Sequence, residues 1–149
     1  MYDTSMMTNS ASDLELMDQA LLRLRHFFDA PAILTDTGTR VELSTLLVLE
    51  AVARSGSSAS VREIADQLDV AHSTASRLVT RAENAGMIAR ATSTTDRRET
   101  VIETTAVGHD FRRRASAYRL DRLVALTSGW TQDERATFAS FLDRFSAAV

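Results

Sequence analysis

A chain of 149 residues, 44% hydrophobic and 25% charged, has the make-up of one ordinary globular domain, with room for a helical extension, and not of a disordered segment. Zero cysteines exclude disulfides, thiolate metal sites and a cysteine redox switch. The formal net charge of −3 is unevenly spread: residues 1–70 carry −6, residues 71–98 carry +3 and the remainder is neutral.

Positive charge confined to one segment is what binding to a phosphate polyanion requires, whatever the total. All 17 basic side chains are arginine. No apolar run approaches the roughly 20 residues that span a bilayer. The opening MYDTSMMTNSASD has no basic start followed by an apolar block. No signal peptide, no membrane partner and a cytoplasmic location are therefore expected.

In chain order, residues 13–28 read as an amphipathic helix, with Leu14, Met17, Leu21, Leu24 and Phe28 at helical spacing. Pro31 closes it and a polar connection, residues 31–41, follows. Residues 43–53 are almost continuously apolar and predict a central helix. SGSSA, residues 55–59, reads as a loop. Ser60 with Glu63 is a capping box opening a third helix, with Ile64, Ala65 and Leu68 on its inner face. Asp69 and Val70 make a tight turn. Residues 71–85 form a fourth helix, ended by Gly86 as a left-handed cap.

Residues 87–91 and 99–104 are short and partly alternating, and the polar TSTTDRR between them predicts a hairpin. Thr105 caps a fifth helix running to about Leu126. Gly129 and Trp130 break it, and Thr131 with Glu134 forms a second capping box. The last helix carries Phe138, Phe141, Leu142 and Phe145 as one stripe. The fold class is mainly α with a small β-hairpin wing: a winged helix–turn–helix plus a helical dimerisation region.

The third and fourth helices have the marks of a helix–turn–helix. Ala65 is small where two helices cross, and Ile64, Leu68, Val70, Ala75 and Leu78 supply the apolar set that welds them. Helical periodicity then turns Ser73, Ser76, Arg77, Thr80 and Arg81 outward. A helix of this length is about 22 Å long and slim enough for a DNA major groove. Short hydroxyls let its backbone approach closely, and arginine reads guanine bidentately or grips phosphate. Arg97 and Arg98 at the hairpin tip suit the negative potential of a narrow minor groove.

Residues 60–108, SVREIADQLDVAHSTASRLVTRAENAGMIAR followed by TTDRRETVIETTAVG, resemble the winged helix–turn–helix of MarR transcriptional regulators. Ser73, Thr74, Ser76 and Arg77, the element from Ala85 to Ile88, and Asp96 with Arg98 carry the match. The resemblance implies that Arg98 enters the minor groove and that Asp96 braces a basic residue of the reading surface. It also implies a homodimer, built by the first and last two helices, on a palindromic site. Two positions depart from the family pattern. Ala71 stands where Ser or Thr commonly starts the recognition helix, leaving Asp69 or Ser73 to compensate as a cap, and Thr104 replaces the usual Leu after the wing.

The expected layout is residues 1–40 for dimerisation, 41–105 for DNA binding and 106–149 for dimerisation. The expected function is a sequence-specific transcriptional regulator, a ligand-responsive repressor acting as a homodimer on double-stranded DNA. The family implies a small-molecule effector; His26, Phe27, Phe28 and Tyr118 are the aromatic candidates, equally readable as core, and no effector site is assigned. Arg112 to Arg114 read as a solvated helix face or dimer-edge ion pairs rather than a localisation signal. His26, His72 and His109 form no metal pattern, and no nucleophile elbow, phosphate loop or dinucleotide fingerprint occurs. Neither an enzyme, a metal nor a cofactor is expected. The alternatives are a winged helix used for protein interaction and, remotely, a small enzyme built on His72 and Ser73.

Overall fold

The structure is a computed structural model describing residues 4–24, 27, 42–93 and 100–148, with side chains from residue 12 onward. The chain order is α1 (Thr4–Leu24), α2 (Leu43–Arg54), β1 (Ser58–Ala59), α3 (Val61–Leu68), α4 (His72–Asn84), β2 (Ile88–Thr92), β3 (Thr100–Thr104), α5 (Ala106–Leu126) and α6 (Gln132–Ser146). The chain divides into two compact units, residues 1–112 and 113–149.

The first unit is organised around α2. Val48, Leu49, Ala51 and Val52 are buried there, as a continuously apolar helix must be. Ile64 and Ala65 of α3, Ala75, Val79 and Ala82 of α4, Met87, and Ile102 of β3 complete this core. α3 packs on α4 and both pack on α2. The three strands are antiparallel in the order β1-β3-β2. β2 and β3 pair from Ile88 opposite Thr104 to Thr92 opposite Thr100. β1 pairs Ser58 with Glu103 and Ala59 with Ile102.

Local chemistry accounts for the element ends. Ser60 Oγ accepts from Glu63 N at 3.2 Å while the Glu63 carboxylate accepts from Ser60 N at 2.7 Å. Asp69 adopts a left-handed backbone, φ 49°, and closes α3 with Val70 N donating to Ala65 O. Gly86, φ 71°, ends α4 with its own N–H on Glu83 O and Met87 N on Ala82 O. That left-handed position is why glycine stands there.

The first turn of α5 is bolted to this exit. Thr105 N donates to Met87 O at 3.1 Å, and the Thr105 hydroxyl donates to Gly86 O at 2.7 Å and accepts from Gly108 N at 3.1 Å. A Cβ on Gly108 would lie 2.0 Å from the Met87 carbonyl oxygen, so only glycine fits.

In the second unit, Thr131 and Glu134 form the second capping box. Trp130, between α5 and α6, meets Phe138 edge to face at 5.2 Å. The Arg144 guanidinium lies 5.1 Å from the Phe141 ring. Phe138, Phe141, Leu142 and Phe145 are all exposed.

Four expectations change. α1 starts at Thr4 rather than residue 13, because its polar first half carries no apolar periodicity, and its described span is Thr4–Leu24. Phe28 and His26 lie outside the described residues. Part of the expected loop at 55–59 is strand β1, too short for an alternation signal. The weld of α4 runs through Ala75, Val79 and Ala82, an i, i+4, i+7 stripe, while Leu68, Val70 and Leu78 are only half-buried. Finally, neither Asp69 nor Ser73 compensates for Ala71: α4 begins with no side-chain cap.

Candidate nucleic-acid interface

Burying Ala75, Val79 and Ala82 fixes what α4 shows to water. Ser73, Arg77, Thr80 and Arg81 are exposed, while Thr74 and Ser76 are half-buried. The expected reading surface is therefore one-sided, opposite the core stripe. It is also thin, since Ser73 and Thr80 add little bulk beside the backbone. The Thr80 hydroxyl donates to Ser76 O at 3.0 Å, leaving its oxygen and methyl group for a partner.

The arginines of this face differ in their surroundings. Arg77 is exposed with no ion-pair partner among the described residues. Arg81 Nη1 instead meets Glu42 Oε2 at 2.5 Å, across the start of α2, and the Ser44 hydroxyl donates to the same carboxylate oxygen at 3.3 Å. On the adjoining hairpin, Arg90 of β2 pairs with Glu83 at the end of α4, Nε to Oε2 3.0 Å. Part of the positive charge of residues 71–98 is thus locally matched. Sequence reading missed both pairs because their members come from separate elements. The expected wing residues Asp96, Arg97 and Arg98 lie outside the described residues.

In the other arginine run, Arg112 and Arg114 are half-buried and Arg113 is exposed. Arg112 Nε bonds Glu50 Oε2 at 3.1 Å, tying the start of α5 to α2. Beside the helix–turn–helix, the Ser60 backbone and hydroxyl hold the Glu63 carboxyl below the ordinary glutamate range. Among the described residues no cluster of His, Asp and Glu is placed to hold a metal, and no helix is long and apolar enough to cross a membrane.

A helix–turn–helix flanked by a three-stranded antiparallel sheet, β1 before it and β2 and β3 after it, with the second helix exposing a small, hydroxylated and cationic face, defines the winged-helix class. Residues 41–99 match the MarR family. A MarR family protein from Bacillus stearothermophilus superposes with a TM-score of 0.77 at 18% identity, over 95% of this chain and 96% of that one. YusO from Bacillus subtilis gives a TM-score of 0.66 at 25% identity, over 95% and 98%. BpsR of Bordetella bronchiseptica, whose DNA binding is regulated by 6-hydroxynicotinic acid, gives 0.65 at 17% identity, over 91% and 98%. No curated protein sequence matches the chain. Over residues 41–99 the chain is thus similar to the MarR family, and along most of its length it carries the winged helix–turn–helix fold of these solved structures.

Proposed function

We propose that this chain is a sequence-specific, non-enzymatic transcriptional regulator that binds double-stranded DNA as a homodimer and represses by occluding a promoter. In this reading residues 41–105 bind the duplex, while residues 1–40 and 106–149 pair two copies. α4 enters the major groove and presents Ser73, Thr74, Ser76, Arg77, Thr80 and Arg81. Arg98 of the wing reaches the minor groove, Arg97 grips phosphate, and Asp96 braces a basic residue. Two recognition helices one helical turn of DNA apart, about 34 Å, read a palindrome. The cytoplasm is its place of action. A small-molecule effector, of the kind that regulates BpsR, releases the operator.

The single observation that supports this most is the one-sidedness of α4: its core stripe turns Ser73, Arg77, Thr80 and Arg81 together into solvent. The experiment is selection of genomic duplexes by the purified chain, followed by footprinting. Enrichment of a two-fold symmetric sequence is the expected result. A chain that enriches no duplex is not a DNA-binding regulator, and a protein-docking winged helix then takes its place.

A further inference from the structure

Glu42 stands at the N-terminal boundary of α2 with an extended backbone, φ −73° and ψ 152°, and its side chain makes no capping bond to that helix. Its carboxylate instead reaches a residue 39 positions away, Arg81 on the exposed face of α4. Both side chains are open to solvent, 59% and 53% exposed. An ion pair so placed contributes little to folding, and it lies where a partner of α4 would meet it. Its effect falls on that partner.

We propose that Glu42 is a specificity-determining residue of the α4 face, holding Arg81 back from phosphate and leaving it for base edges. The proposal rests on the DNA-binding reading above. Non-specific affinity for a duplex grows with the number of phosphates that cations neutralise. A phosphate can claim Arg81 only by sharing it with, or displacing, a carboxylate of its own charge, so that contact is weakened. Guanine O6 and N7 are acceptors on a neutral base and meet much weaker repulsion than a full phosphate charge does. Arginine has five N–H donors, and the pair with Glu42 engages Nη1, so donors remain for a base. Arg77, which has no ion-pair partner among the described residues, lacks this bias. Glu42 thus lowers the background on random DNA more than it lowers binding at the chosen sequence.

The test uses the full chain and two labelled duplexes: one enriched from a random pool by the wild-type protein, and a scramble of the same composition. Binding is titrated between about 50 and 200 mM salt. Glu42→Gln is expected to tighten binding to the scramble roughly three- to tenfold, and to steepen the slope of log K against log salt by about 1. Binding to the enriched duplex should rise less, so the specificity ratio falls. In an Arg81→Ala background the same change should leave the ratio alone. An equal gain on both duplexes, an unchanged salt slope, or a Glu42→Gln effect that survives Arg81→Ala would overturn the role. If the wild type enriches no duplex, the DNA-binding reading fails with it; if it does and Glu42→Gln behaves identically, only the role of Glu42 fails.

Discussion

Arg77 projects from α4 with no ion-pair partner among the described residues, whereas Arg98 is proposed for the minor groove, and the two roles predict different phenotypes. Arg77→Ala should relax discrimination at one or two base pairs, at a cost of about 1–3 kcal/mol on the preferred sequence. Arg98→Ala should weaken binding across sequences and flatten the salt dependence by about one phosphate equivalent. Titrating both variants against single-base operator changes separates the roles: a uniform loss for Arg77→Ala would make it a phosphate clamp. The outward row of α4 was legible in the sequence because 3.6-residue periodicity fixes which residues share a face. Which buried residue opposed it was less so, since Leu78 is larger than Val79 and only packing decides that Val79 goes in. The Glu42–Arg81 pair left no trace in the sequence, because nothing in a local pattern brings together two residues 39 positions apart.

Among elements, α3 and the start of α5 have the most local determinants, and both are open to measurement. Ser60 stabilises the ionised form of Glu63 in the folded chain. As pH falls, the unfolded chain takes up that proton first. The stabilisation is therefore complete above the ordinary glutamate range and is lost as pH drops through it toward the lower folded value. Glu63→Gln should remove this contribution to the acid limb of a denaturation series while leaving the neutral and alkaline limbs parallel to wild type. Gly108→Ala forces a methyl group onto the Met87 carbonyl. We expect a loss of about 1–3 kcal/mol in denaturant unfolding, as for other overpacked sites. Both capping boxes, the Gly86 cap and the Thr105 cap were readable because each is settled within a few residues. Strand β1 was not: two residues become a strand only when β3 lies beside them.

For the whole molecule, apolar side chains remain exposed on several helices. Leu14, Met17 and Leu21 of α1, Leu120, Leu123 and Val124 of α5, and the Phe138 to Phe145 stripe of α6 are uncovered. A soluble chain seldom leaves so much apolar surface in water unless another surface covers it, which supports the proposed homodimer. Phe141→Glu should raise the dimer dissociation constant at least about 100-fold, because each copy loses burial worth about 1.5–3 kcal/mol. Sedimentation velocity over a concentration series reads this directly. Operator affinity should fall with it, since a lone reading head engages one half-site. An oligomeric state that is unchanged would remove α6 from the interface.

Trp130 gives that assembly its own optical signal. It is the chain's sole indole, 38% exposed at the bend before α6 and packed edge-on against Phe138. Any partner surface that dries this corner should move the emission to shorter wavelength, with no dye attached and no background from elsewhere in the polypeptide. Dilution should reverse the colour change.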